Sequence, residues 1–213
     1  MKQTILNRIQ ALGGDISKVK GTSLQEDLLA ITFDTVLYEK PEDTPWIKAD
    51  EEEPICGLGE WVDTHIGLYK SDKKAFYDKM IAEFYSFTQQ PRGQHFWTAN
   101  LFTPFKEGTA DYEEWYDDFS DEEFVDLTEI TKLTSDKTPD FIQLFYTYSY
   151  PDHIYVALSD PNPESPTLFG TDHEVFFGEI DNMGTLEDYL NTLMTPEELI
   201  DIVEKALINY NPL

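Results

Sequence analysis

Positive charge and cysteine are what this chain has least of. Across 213 residues, 15 lysines and arginines stand against 42 acidic residues, a net charge of −27, and the arginines are Arg8 and Arg92 alone. Binding to nucleic acid displaces counterions from phosphates by means of clustered Lys and Arg, and the sequence holds no such cluster. The same deficit opposes attachment to an anionic membrane surface. The expectation is therefore no nucleic acid and no membrane among the partners. A basic protein would instead be attracted and its encounter accelerated. Surplus acid also has a plainer use, since charge runs form solvated faces.

A single cysteine, Cys56, excludes an internal disulfide and every multi-cysteine metal motif. It reads as a small buried apolar residue, and "EPICGLGEW" gives it no nucleophile context. No run approaches the ~20 apolar residues of a membrane span. The opening "MKQTILNRIQALGG" lacks the apolar stretch of a signal peptide, so a cytoplasmic location is expected. GxGxxG, GxxxxGK[ST], HExxH and GxSxG are all missing, which leaves no motif for a bound nucleotide, a zinc protease or a nucleophile elbow. No cofactor is expected.

What is present is enough apolar material, 40% hydrophobic with 14% aromatic, to bury a core. The reading is one domain, 1–213, with an elaborated N-terminal half and a possible insertion at about 39–135. "TILNRIQALGG" puts Ile5, Ile9 and Leu12 on one helical face, with Leu6 beside them, and stops on Gly13-Gly14. "LLAITFDTVLY", Leu28 to Tyr38, is β-branched and aromatic and reads as a strand. "EKPEDTPWIKADEEEP" follows as an acidic, proline-bearing surface loop. "DKKAFYDKMIAEFYSF" carries Phe76, Met80, Ile81, Phe84 and Tyr85 at helical spacing, a core stripe.

From Asp140 the period shortens. "DFIQLFYTYSY", "HIYVAL", "TLFG" and "HEVFFGEI" are short β-prone runs divided by turn formers, the pattern of an antiparallel meander of three or four strands. A helix over Leu186 to Leu193 comes next. The last begins at "TPEEL", with Thr195 as N-cap, Pro196 at the first helical position and Glu198 completing a capping box; Leu199, Val203, Ala206 and Leu207 form its buried stripe. Blocks of helices and strands give an α+β class: a central, mostly antiparallel sheet with helices packed on it and a C-terminal helix pair.

Chemistry-bearing residues fall into three groups. The segment "DYEEWYDDFSDEEFVD", Asp111 to Asp126, holds nine acids in sixteen residues. Tyr112, Trp115, Tyr116 and Phe119 share one helical stripe, and Glu113, Glu114, Asp117 and Asp118 point away from it. Ser120 with Glu123 is a capping pattern that could restart a helix. Glu113, Glu114, Trp115, Asp117 and Asp118 are the candidate partner-binding residues.

The four histidines are the second group: His65 in "DTH" with Asp63, His95, and the repeated "PDH…TDH" of Asp152-His153 and Asp172-His173. In "FGTDHEVFFGEI", Gly170, Thr171 and Asp172 read as a turn launching a strand over His173 to Ile180. Alternation there puts Asp172, Glu174 and Phe176 on one face and His173, Val175 and Phe177 on the other, so Asp172 and His173 should not grip one ion together. His153 and His173 could meet across strands, a weak metal signal. The third group is carboxylate pairs. A glycosidase needs two about 5–10 Å apart in a cleft, and Trp46, Trp61, Trp97 and Trp115 could stack sugars, but with this many acids the coincidence carries little.

The stretch "PDFIQLFYTYSYPDHIYVALSDPNPESPTLFGTDHEVFFGEIDNMGTLEDYLNTLM" resembles the C-terminal half of the SUKH superfamily, the Smi/Knr-type proteins. "GTLEDYLNTL", Gly184 to Leu193, stands where that family has a "SFEEFL"-like helix, and the resemblance covers about Asp140 to Leu193. It implies an α+β domain that is non-enzymatic and acts by binding protein, with no catalytic residues to carry over. Bacterial members are immunity proteins that neutralise toxins, often basic nucleases. The expected function is thus a cytoplasmic, non-enzymatic immunity or regulatory module docking a basic protein partner. An acidic hydrolase using paired carboxylates or a metal, and an oligomer-forming scaffold, are the alternatives.

Overall fold

The glycine stop after the first apolar stripe is a helix end. In the computed structural model, which describes residues 1–41, 55–121, 124–148 and 150–208, helix α1 spans Gln3–Ala11. Ile5 and Ile9 are buried on its inner face. The Leu12 and Gly13 amides donate to the Arg8 and Gln10 carbonyls, and Gly13, at φ 98°, turns the chain out. Then come β1 (Gly14–Asp15), α2 (Leu24–Ala30), β2 (Thr32–Phe33) and β3 (Tyr38–Glu39).

The strand expected from Leu28 to Tyr38 is therefore divided, its first three residues ending α2. The Ser23 hydroxyl accepts the Glu26 amide at 3.1 Å, which starts a helix ahead of the β-prone residues. Leu and Ala propagate it until the β-branched Ile31 and Thr32. Most of the acidic loop after β3, including Trp46, lies outside the described residues.

Helices α3 (Leu58–Ser71) and α4 (Lys73–Phe84) follow, then β4 (His95–Phe102), α5 (Ala110–Phe119) and α6 (Thr128–Thr134). Ser120 is the C-cap of α5, and Glu123, its expected capping partner, lies outside the described residues. Cys56 is exposed rather than buried, because Ile55 and Leu58 beside it take the core positions. The meander is β5 (Phe141–Thr147), β6 (His153–Ala157), β7 (Thr167–Thr171) and β8 (Asp181–Thr185), and α7 (Leu186–Thr192), β9 (Leu193–Met194) and α8 (Pro196–Ile208) close the chain.

Five strands form the central sheet in the order β4-β5-β6-β7-β8, every pair antiparallel. The protein is α+β. β4 comes from inside the region read as a possible insertion and forms one edge. β5, β6 and β7 are apolar on both sides because both of their faces are covered. Ile142, Ile154, Val156 and Leu168 pack under α1, α2 and α7, against Ile5, Ile9, Leu28 and Leu190. Phe141, Tyr155, Ala157 and Phe169 point the other way, into a cluster with Phe102, Phe119, Ile130 and Phe177. A third cluster joins α3, α4 and α8 through Val62, Phe76, Met80, Phe84, Leu199 and Val203.

The capping box of α8 is built as its residues dictate. Glu198 Oε2 accepts the Thr195 amide at 2.8 Å, and Thr195 Oγ1 accepts the Glu198 amide at 3.1 Å. Glu198 also pairs with Arg8 and Lys40, tying α8 to α1 and the end of β3. Replacing Thr195 with Ala should cost about 1 kcal/mol, read as a shift in the urea midpoint at unchanged slope.

The largest departure from expectation is the stretch after β7. Gly170 and Thr171 belong to the strand, not to a turn, and His173 to Ile180 are turns and bends, not a strand. A Cβ at Gly170 would lie 2.3 Å from Pro151 Cγ and 2.8 Å from Met183 Sδ, so a residue without a side chain is needed where neighbouring elements close on β7. Phe177 sits at φ 56°, fully buried, in the left-handed region that a bulky side chain rarely occupies. Thr171 Oγ1 accepts its amide at 2.9 Å, and its carbonyl accepts the Asp126 amide at 2.8 Å. Those bonds and its aromatic pocket hold the strained conformation in place.

Candidate functional site

Helix α5 carries the candidate docking residues, and its start is well determined. The Thr109 hydroxyl caps it by accepting the Tyr112 amide at 3.2 Å, and Asp111 accepts both the Thr103 amide and hydroxyl. Asp111 and Glu113 in the first turn suit the positive end of the helix dipole. Asp117 and Asp118 do not. They stand in the last turn, with no basic residue there to offset them, where negative charge costs about 0.3–1 kcal/mol each.

The four-residue aromatic stripe is split by packing. Phe119 is buried against Phe102 and Phe177, at ring distances of 5.6 and 5.1 Å. Trp115 is half-buried and lies 4.7 Å from the ring of Phe176. Tyr112 and Tyr116 pack with tilted rings 4.5 Å apart, and Tyr116 is exposed. Glu113, Glu114, Asp117 and Asp118 are all exposed.

Trp115 and Asp118 form one wall of a groove of about 420 Å³. Phe124 and Val125 line it, and the opposite side is the turn segment after β7, with Glu174, Val175, Phe176, Gly178 and Glu179. Phe124 is 64% exposed and Val175 42%. The groove thus has an apolar floor and acidic flanks. Its second wall, Glu174 to Glu179, was not among the candidate residues.

The repeated Asp-His pairs do converge, through the carboxylate of Asp152. Its Oδ1 accepts the His173 amide at 3.0 Å and its Oδ2 meets His173 Nδ1 at 2.6 Å. His153 Nε2 lies 3.8 Å from Asp152 Oδ1, and Asp172 Oδ1 lies 3.7 Å from His173 Nδ1. Asp172 and His173 approach each other because the chain is turning there, so the strand argument for keeping their side chains apart does not apply. The hydrogen bond to Asp152 raises the pKa of His173 above its ordinary value, while burial lowers that of His153.

The other two histidines are held by packing. His65 stacks on Trp61 at 4.1 Å, with Nδ1 on the Trp61 carbonyl and Nε2 on Lys79. His95 is buried in β4 with Nδ1 2.6 Å from the Tyr189 hydroxyl. Trp97 donates to the Ile31 carbonyl at 3.2 Å, and its ring packs on Phe145.

No family model, curated protein or solved structure matches the chain. Among the described residues, no helix is long and apolar enough to cross a membrane. The site is therefore read from its own chemistry.

Proposed function

We propose that this protein is a non-enzymatic binding module that docks a basic segment of a protein partner, carrying at least one apolar side chain, in the groove between α5 and the turn segment after β7. The observation that carries the reading is the pairing of exposed Phe124 and Val175 with the acidic flanks Asp118, Glu174 and Glu179 in one concavity. Exposed apolar surface rimmed by charge is the composition of an interaction site. A net charge of −27 adds long-range attraction for a cationic partner. Asp117 and Asp118 support the same reading, since their place at the negative end of α5 costs the helix stability and its last turn holds no basic residue.

In its fuller form the proposal is a cytoplasmic immunity or regulatory protein of the SUKH type, with a basic toxin as the partner. The resemblance over Asp140 to Leu193 supports that form, and the acidic groove fits a basic antagonist.

Fluorescence anisotropy with two synthetic peptides of equal charge separates docking from bulk attraction. One alternates lysine with leucine and the other lysine with serine. The leucine peptide is expected to bind more tightly, and to weaken as salt shortens the Debye length to about 10 Å at 0.1 M. Reversing Glu113, Glu114, Asp117 and Asp118 to lysine should weaken it by about tenfold or more at low salt. Phe124→Ser should weaken the leucine peptide by about tenfold and leave the serine peptide unchanged. Equal binding of the two peptides, or binding indifferent to salt, would overturn the proposal.

A further inference from the structure

Asp152 and Asp172 are brought side by side by the sheet itself. The β6–β7 ladder ends at the His153–Thr171 pair, and Asp152, just before His153, and Asp172, just after Thr171, leave it side by side. Like charges facing each other across a ladder repel. Among the described residues their ion pairs are made with His153 and His173, and with no lysine or arginine. In a chain this acidic, two apposed carboxylates and two imidazoles make a set of nitrogen and oxygen donors that has no permanent positive charge of its own.

We propose that Asp152, Asp172 and His173 form a binding site for a divalent transition-metal ion of the zinc class. One donor atom from each of Asp152, Asp172 and His173 falls within 4.8 Å of the others. Zinc holds nitrogen and oxygen ligands at about 2.0–2.2 Å, which puts neighbouring ligand atoms roughly 3.4 Å apart in a tetrahedron. His173 Nδ1 lies 2.6 Å from Asp152 Oδ2 and 3.7 Å from Asp172 Oδ1, on either side of that value. Closing around an ion needs side-chain adjustments and no change of fold.

The ligands are also oriented from behind, as metal ligands are. Asp172 Oδ1 accepts the Glu174 amide at 2.7 Å, and Asp152 Oδ1 accepts the His173 amide. His173 is largely exposed, which gives an ion a way in. Imidazole with carboxylate selects zinc over calcium, which prefers oxygen alone.

The test is isothermal titration of untagged, chelator-treated protein with Zn²⁺ alone, so it stands apart from the peptide experiment. One ion per chain is expected, with Ca²⁺ binding far more weakly. His173→Ala and Asp172→Asn should each weaken Zn²⁺ by at least about tenfold, and Asp201→Asn, an exposed acid on α8, not at all. The melting temperature of the parent should rise with Zn²⁺ and that of the ligand variants should not. If His173→Ala fails to fold, Asp172→Asn carries the comparison. Zn²⁺ binding unchanged in both variants, or no heat above the Asp201→Asn and buffer controls, would overturn the site and leave an ordinary Asp-His ion pair.

Discussion

Replacing Phe177 with alanine is expected to cost about 3–5 kcal/mol, which lowers the melting temperature by roughly 6–20 °C in a domain of this size. The ring is buried among Phe102, Phe119, Phe141 and Tyr155, at centroid distances of 6.0, 5.1, 5.2 and 4.9 Å. Removing it opens a cavity where the sheet, α5 and the turn segment meet, and rigid rings surround the gap on several sides, so little of it can close. The backbone offers no relief, because alanine at φ 56° keeps the left-handed strain. Phe177→Gly removes that strain and should be the milder variant by about 1 kcal/mol. Thermal and urea unfolding measure both. A loss under about 1 kcal/mol for Phe177→Ala would mean that the segment is not anchored as described. The groove depends on this anchor, since Val175, Phe176 and Gly178 flank the same residue.

The second large effect is a pH dependence centred on His95. Burial holds its pKa down from 6.5 to about 4, with the Tyr189 hydroxyl of α7 its hydrogen-bond partner. A depressed histidine is neutral in the folded protein while the unfolded chain takes up the proton. Its contribution is therefore complete above pH 6.5 and is lost as pH falls toward 4, about 3 kcal/mol across that window. Glu39, near Tyr189, has a pKa raised by burial and works the other way, as does relief of acidic repulsion when carboxylates protonate. Comparison with His95→Gln cancels those shared contributions. The difference in unfolding free energy between parent and variant should shrink by about 3 kcal/mol from pH 7 to pH 4. A constant difference would show that His95 is not held neutral.

Local signals read well from the sequence. Thr195 and Glu198 specify a helix start through bonds only three residues apart. Ile5, Ile9 and Gly13 likewise fix α1 without help from elsewhere. The β5, β6 and β7 runs were legible because burial on both faces leaves near-continuous apolar segments. Where sequence reading failed, distant contacts decide. His173 to Ile180 alternates polar and apolar as a strand would, but Thr171 and Asp126 hold Phe177 in a left-handed conformation that no local pattern announces. β4 escaped notice because its period is broken: the register with β5 shifts between Trp97 and Asn100, and Ala99 sits at φ 46°. For the same reason only half of the candidate site was legible. The acids and Trp115 of α5 lie in one stretch, whereas the facing wall arrives from beyond β7.

The central claim, that this groove is where a basic partner docks, is tested most directly by mapping backbone amide shifts in an NMR titration with the lysine–leucine peptide. The predicted result is a contiguous set of shifts at Trp115, Asp118, Phe124, Val125 and Glu174 through Glu179, lost in Phe124→Ser. Shifts scattered over the acidic surface at large, or centred on another element such as the exposed face of α8, would contradict it.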